Sequence, residues 1–414
     1  MLIELNPDEK IVAKIKELLE SGTYSDQKEL IINAIENLYE RTQAANGPSE
    51  QIGYLYADQQ EIFARDLIIE NKDLAKEVND YQNRNGPILE SRLDAGKLYQ
   101  ILDNPDDVNH RCIVPKPEMI YGNEYAGLIW VFHNRFLPIK FILTVLAKLI
   151  VETENKWIDL EELKTEVSSD TRYFTDMLSK MNLELDIKPA VGFPRTSDDF
   201  EKTPKLKKMG KRRRKAKASE LEATSNNRFL DQFVGRELTK KSSRRLAGAC
   251  AEMGLMYAGS DDENSKLKVT LSELGKEFVG LDWTKSTETY NQIFEQIWNP
   301  EKRGVTPIKN IFSKLEVDFI MEKIIPQFEL EYIIAKEFLG LRQETPVGTI
   351  TDIFLNKQKL YLEQKDAEAY NKIKEKLEKN PLARATTVMT KLVELGKVKR
   401  IKRGLSVFYI ANLT

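Results

Sequence analysis

The first forty-one residues constrain this chain most, because they cannot close a core by themselves. Ile3 and Leu5 alternate with Glu4 and Asn6, which predicts a short strand with one apolar face. Pro7 ends that run. Ile11, Ile15, Leu18 and Leu19 then follow at helical spacing, and Gly22 is a C-terminal stop. Asp26 and Glu29 fit a capping box that opens a second helix, whose apolar stripe is Leu30, Ile31, Ala34, Ile35 and Leu38. One strand followed by two helices leaves a strand edge unpaired, and a second copy of the chain is the obvious supplier. Residues 1–45 are therefore read as a dimerisation domain held through Ile3, Leu5, Leu18, Leu30, Ile31 and Ile35. A plain helical hairpin inside a larger core is the alternative.

The combination Ile3-x-Leu5-x-Pro7, Leu18-Leu19-x-Ser21-Gly22-x-Tyr24 and Glu29-Leu30-Ile31-x-x-Ala34-Ile35-x-x-Leu38 resembles the ribbon–helix–helix family of plasmid repressors and antitoxins. The resemblance covers about a tenth of the chain. It implies two strands paired into a ribbon whose outward side chains enter the major groove. Here those side chains are Glu4 and Asn6, which match cytosine and adenine respectively.

Charge places the polyanion contacts elsewhere. The whole chain carries a net charge of only −2, yet residues 1–80 hold eight Lys/Arg against seventeen Asp/Glu, a net of −9. Residues 201–245 hold sixteen against five, a net of +11, and residues 370–414 eleven against three, a net of +8. An acidic head with two basic regions downstream points to a polyanion gripped by the later modules, with the head as coupler.

A length of 414 residues predicts about two to four domains. Cys112 and Cys250 are too few for a disulfide framework, which suits a reducing interior. No signal-peptide pattern opens the chain, and the longest apolar run, Phe141 to Val151, is too short to span a bilayer. No membrane partner and a cytoplasmic, nucleoid-associated location are expected.

Residues 46–137 read as a helical spacer and an irregular segment. His110, Cys112 and His133 fall there without a third or fourth ligand at coherent spacing, so no metal is expected. In 138–195, Pro138 opens a helix with a broad apolar face, Asp159–Leu163 a second and Ser169–Arg172 a third. Three helices with a tight turn make this segment winged-helix-like; a core-forming bundle is the alternative. Residues 196–225 read as a basic linker or wing. Between Lys202 and Lys217 ten of sixteen positions are cationic, Lys207, Lys208, Lys211, Arg212, Arg213 and Arg214 among them. Repulsion predicts an open, mobile segment that can contact phosphates; a solvated linker is the alternative.

In 226–283, Arg228 to Leu238 has helical spacing. Lys240-Lys241-Ser242-Ser243-Arg244-Arg245 then leads a helix to about Met253, with Leu246, Ala249, Cys250 and Met253 inward and Gly254 as cap. A hairpin over 255–271 and the run Leu271-Ser272-Glu273-Leu274-Gly275-Lys276-Glu277-Phe278 follow. This order resembles the winged helix–turn–helix of archaeal and bacterial regulators. The resemblance implies a helix in the major groove led by Lys240, Lys241, Arg244 and Arg245, with Arg244 on base edges and the lysines on phosphate. Residues 284–345 read as a helical brace. In 346–414, Arg384 to Leu395 is a helix, and Val398–Arg403 and 405–411 form a hairpin turned at Gly404. That is similar to the second half of a winged helix. The contacts it implies are Arg384, Thr387 and Lys391 on the helix, and Lys399, Arg400, Lys402 and Arg403 on the wing.

No Gly-rich phosphate loop, metal spacing or triad-like histidine is present, so neither enzymatic activity nor a cofactor is expected. The resulting expectation is a mainly α fold with small β-hairpins: an N-terminal ribbon–helix–helix plus two or three winged helix–turn–helix domains. Such a homodimer would bind double-stranded DNA sequence-specifically as an archaeal-type transcriptional regulator. An architectural chromatin-like role and plasmid segregation or replication initiation are alternatives, and a scaffold without DNA contact is a different class.

Overall fold

A computed structural model describes residues 87–104, 110–111, 128–129, 134–185, 188, 192–240, 243–262, 265–281, 291–365 and 381–412. Ile3, Leu5, Leu18, Leu30, Ile31 and Ile35, together with Glu4, Asn6, Lys241, Cys112 and His133, lie outside those residues. The described residues belong to one compact body, Pro87–Thr414. They are mainly helical with small antiparallel sheets, as the sequence predicts.

Asp94 caps α1 (Ala95–Asp103) by accepting from the Lys97 N–H at 2.9 Å. A two-residue strand β1 (His110–Arg111) follows. Pro138 then sits in the first turn of α2 (Leu137–Thr153), where its missing N–H costs nothing. Every residue of α2 from Leu137 to Ile150 is buried. A helix apolar on nearly all sides is stable only when packed on all sides. The two lysines in this stretch are both partnered. Lys140 Nζ donates to the Phe278 carbonyl at 2.7 Å and pairs with Glu316 at 3.2 Å, both side chains fully buried. Lys148 Nζ donates to the carbonyls of Ile88, Leu89 and Ser91. Asp170 and Trp298 hold the same segment, through the Leu89 N–H (2.9 Å) and the Leu89 carbonyl (3.0 Å).

β2 (Ile158–Asp159) leads directly into α3 (Leu160–Lys180). The sequence predicts two helices here, and the structure has one of 21 residues. No glycine or proline interrupts Leu160–Lys180, and Asp170 at the expected break is buried against the Leu89 N–H, so the turn has nothing to form it. Next come α4 (Ser197–Glu201), α5 (Pro204–Lys207) and α6 (Lys211–Phe229), which continues into a π-helical turn, Leu230–Val234. A hairpin of β3 (Arg236–Lys240) and β4 (Ser243–Ala247), a short α7 (Ala249–Glu252), β5 (Met256–Ser260), β6 (Lys268–Leu271) and α8 (Glu273–Gly280) follow.

The segments 138–195 and 226–283, read as separate modules in the sequence, share one sheet. Its strand order is β1-β5-β6-β2, with Ile158 opposite Val269. They are one unit carrying 181–248 as an insertion.

After α9 (Gln292–Trp298) and α10 (Lys314–Phe319), Pro326 lies in a short 3-10 turn that separates α10 from α11 (Glu329–Leu339). The remaining elements are β7 (Thr345–Pro346), α12 (Val347–Lys365), α13 (Pro381–Glu394), β8 (Val398–Arg403) and β9 (Ser406–Ala411). Helix α11 packs its Leu330, Ile334 and Phe338 with Phe354, Val388, Leu392 and Tyr409. The C-terminal unit therefore starts at Glu329, not at 346, and takes its first helix from the segment read as a brace.

One order of elements thus occurs twice. Helix, two-residue strand, helix, helix, strand, strand describes α2-β2-α3-α7-β5-β6, with 181–248 inserted before the short α7, and also α11-β7-α12-α13-β8-β9. The sheets match as well: β2-β6-β5 in the first and β7-β9-β8 in the second. Both third helices end on a left-handed glycine, Gly254 (φ 69°) and Gly396 (φ 67°). Both ends close by the same pair of bonds. Leu255 N–H donates to Cys250 O and Gly254 N–H to Ala251 O; Lys397 N–H donates to Leu392 O and Gly396 N–H to Val393 O.

Gly275 fixes how α8 closes the first unit. A Cβ there would lie 1.9 Å from the Leu255 carbonyl oxygen, which the Ser272 N–H already holds at 3.1 Å. Overpacking against such fixed backbone costs about 3 kcal/mol, the upper end of the usual range. Gly275→Ala should lower the urea midpoint accordingly. Gly348→Ala, a helical site with nothing within 4 Å, should instead raise it slightly. Equal midpoints for the two variants would contradict the packing.

Candidate nucleic-acid interface

The basic run is helical rather than open. Thr196 and Asp199 form a capping box at α4, and Pro204 opens α5. Leu206, Ala218 and Phe229 are buried and tie α5 and α6 to the body. Asn226 donates to Ser168 Oγ at 2.7 Å, and Arg172 pairs with Glu222 at 2.9 Å. These anchors, with the good helix propensity of Lys, Arg and Ala, outweigh a repulsion that solvent screens.

Lys207, Lys208, Lys211, Arg212 and Arg213 are exposed. Arg214 is half-buried and pairs with Glu201 at 3.1 Å. The cations of α6 crowd its N-terminal turn, which has no acidic residue and a glycine, Gly210, in place of a side-chain cap. Cations at the positive end of a helix macrodipole are mismatched, and an anion relieves both terms.

Lys240, Arg244 and Arg245 lie on a β-hairpin, not at the head of a helix. Arg244 is opposite Thr239, and Arg245 opposite Leu238. The reason is at the base of the hairpin. Gly235 (φ 120°) and Gly248 approach so closely that a Cβ on Gly248 would lie 2.5 Å from Gly235 Cα. That contact breaks the helical register at 248, and only Ala249–Glu252 remain helical. Cys250 is fully buried there, and burial pushes its thiol pKa up.

On α13, Thr387 and Lys391 are buried and are not contacts. Thr387 donates to the Ala383 carbonyl at 2.7 Å. Lys391 pairs with Glu331 at 2.6 Å, both side chains at most 2% exposed. Arg384 is half-buried. The cations of the β8–β9 hairpin fare differently. Lys399, Arg400, Lys402 and Arg403 are all exposed along β8. Arg403 pairs with Glu344 at 2.8 Å and lies over the Phe408 ring. The equivalent hairpin of the first unit is unlike it. There β1 covers the β5 edge, with His110 opposite Ser260, and Asp261 and Asp262 lie towards the tip. Asp261 pairs with Lys268 at 2.8 Å. A groove of about 810 Å³ beside α8 is also self-neutralised: Lys276 pairs with Asp103 at 2.6 Å, and Lys323 pairs with Glu277.

No protein-family model, curated protein or solved structure matches the chain. Among the described residues no group of His, Cys, Asp and Glu could hold a metal ion, and no helix is long and apolar enough to cross a membrane.

A contact that the sequence did not suggest is Glu394. It ends α13 and accepts from the N–H groups of Phe136 (2.6 Å) and Leu137 (3.2 Å), so the second unit caps the central helix of the first. Its only sequence signal is an acidic residue at an otherwise buried helical position. Burial pushes its carboxyl up to about 7, against the pull of the neighbouring Arg135 guanidinium and the two N–H donors. A carboxyl raised in the folded state loses stability as pH climbs from about 4.5 to about 7, by roughly 3 kcal/mol in full. Urea unfolding at pH 5 and pH 7.5 should therefore show a smaller fall for Glu394→Gln than for the parent. Asp170, pushed up to about 8, acts alike in both proteins and cancels. Equal falls would exclude Glu394 as a titrating brace.

Proposed function

We propose that this protein binds double-stranded DNA, as a dimeric, sequence-specific regulator of transcription. The observation that carries the reading is the β8–β9 hairpin, which exposes Lys399, Arg400, Lys402 and Arg403 at one end of the α11-β7-α12-α13-β8-β9 unit. That element order, a helix followed by a β-hairpin turned at a glycine with sheet order β7-β9-β8, supports reading the unit as winged-helix-like. The α2-β2-α3-α7-β5-β6 unit is a second, modified copy, whose insertion supplies the cationic turn of α6. Dimerisation is assigned to residues 1–45, where the ribbon–helix–helix resemblance lies.

One observation favours an architectural role as the second reading. With Thr387 and Lys391 buried, Thr386 and Thr390 are the partly exposed polar side chains of α13 beside Arg384, so base-reading groups there are few while phosphate-type cations are many. The test is a salt titration of binding to genomic fragments selected by the protein and to random duplexes. A regulator prefers the selected fragments, and an architectural protein binds both alike. In either case log K falls steeply with log salt, by about 0.9 per phosphate contact. Absence of duplex binding at low salt refutes both readings.

A further inference from the structure

We propose that Leu405 is an apolar wedge that enters the minor groove of duplex DNA and partly unstacks a base step; this rests on the DNA-binding reading. Leu405 is the most exposed large hydrophobic side chain among the described residues, at 102% against 76% for Val305, the next. Nothing in the fold asks for it. Arg403 pairs with Ser406, so Gly404 and Leu405 are the two central residues of the turn. Gly404 has φ 60°, and Leu405 is not among the residues with positive φ. That is the pattern of a II′ turn, which demands glycine first and leaves the second position free. A Cβ placed on Gly404 would meet nothing within 4 Å, so the tip stands in open space.

The support beneath the tip is stiff and cationic. Six opposed pairs, from Val398↔Ala411 to Arg403↔Ser406, hold the hairpin. Arg403 is fixed between Glu344 and the Phe408 ring just below the turn. Lys399, Arg400, Lys402 and Arg403 supply positive charge along one strand. Two strands about 4.8 Å apart, with their side chains, exceed a minor groove about 6 Å wide, so only the tip can enter. Apolar side chains carried between cations are how proteins unstack steps from that side. Flexible pyrimidine–purine steps yield most easily.

The equivalent hairpin of the first unit sharpens the inference. It occupies the same topological place, yet Asp261 and Asp262 lie towards its tip and β1 seals its edge. Of two hairpins built alike, one is closed to a polyanion and the other presents a bare leucine among cations. A bilayer is the competing partner for such a tip. One leucine is too little apolar surface for that, since even a myristoyl chain anchors only marginally.

The experiment uses the full chain, a duplex with 2-aminopurine beside a central TA step, low salt and saturating protein. The parent and Leu405→Met should raise the fluorescence on binding. Leu405→Ser should bind the duplex in a gel-shift assay and lose that rise. Because the side chain is fully exposed, the substitution leaves the fold intact. Duplex binding by the parent without a rise, or an equal rise with Leu405→Ser, overturns the wedge alone. No duplex binding by the parent overturns the DNA-binding reading and the wedge with it. Leucine-dependent sedimentation with phosphatidylserine vesicles, in place of a rise, assigns the tip to a membrane and also overturns the wedge.

Discussion

Replacing Lys399, Arg400, Lys402 and Arg403 by alanine together should lower duplex affinity at 0.1 M salt by on the order of 10²–10³-fold, and should flatten the salt dependence by about 2–4 units of slope. Each phosphate contact contributes about 0.9 to that slope, so at 0.1 M each lost contact is worth on the order of tenfold. The lower bound reflects prior engagements. Arg403 already pairs with Glu344, and Arg400 stands opposite Tyr409 in the hairpin. The variant should remain folded. The Arg403–Glu344 pair is solvent-exposed, 63% and 32% by side chain, and such pairs contribute about 0–1 kcal/mol. An unfolding midpoint near the parental one, with an unchanged salt slope, would remove the β8–β9 hairpin from the interface. A parallel variant of Lys211, Arg212 and Arg213 measures the share of α6. If the two units grip one duplex, their losses should add in log K, since the sites share no partner.

What was legible depended on how local the signal was. The end of α13, Gly396, β8, Gly404 and β9 follow the sequence within a residue or so, because each is set by a glycine at positive φ or by alternation inside one hairpin. The strand pair Ile158↔Val269 was not legible. It joins a two-residue strand to a partner over a hundred positions away, with no periodicity to mark it. Without that pairing, one unit reads as two modules. The hairpin at 236–247 departs from the sequence pattern for a different reason. Leu246, Ala249, Cys250 and Met253 satisfy helical spacing, but the decisive contact is the backbone approach of Gly235 to Gly248, and a glycine pair has no pattern of its own. The basic run reads as open because its charge is evident in the sequence and its anchors are not. Leu206, Ala218 and Phe229 are few and widely spaced, yet each is buried.

Lys391 shows why a cation on the right helix need not face a ligand. Its position on α13 is one that a winged-helix resemblance assigns to DNA, whereas the side chain is 1% exposed and pairs at 2.6 Å with Glu331 of α11. Burial lowers its pKa, with Glu331 opposing that shift. A buried ion pair is weak as a net stabiliser, because desolvation consumes most of the Coulomb gain. Removing one partner is another matter, since the survivor is left charged without compensation. Lys391→Met should therefore cost about 3–5 kcal/mol, seen as a drop in the urea midpoint. Adding Glu331→Leu should recover most of that loss, because an apolar pair of similar volume replaces an ionic one. The C-terminal core around them, Ile334, Phe338, Val388 and Leu392, is already apolar and can accept it. A phosphate contact would behave oppositely: the single variant would keep its stability and lose a unit of salt slope, and the second substitution would restore nothing. The double-mutant cycle, read once by urea and once by duplex binding, separates the brace from the contact at a position where residue type alone cannot.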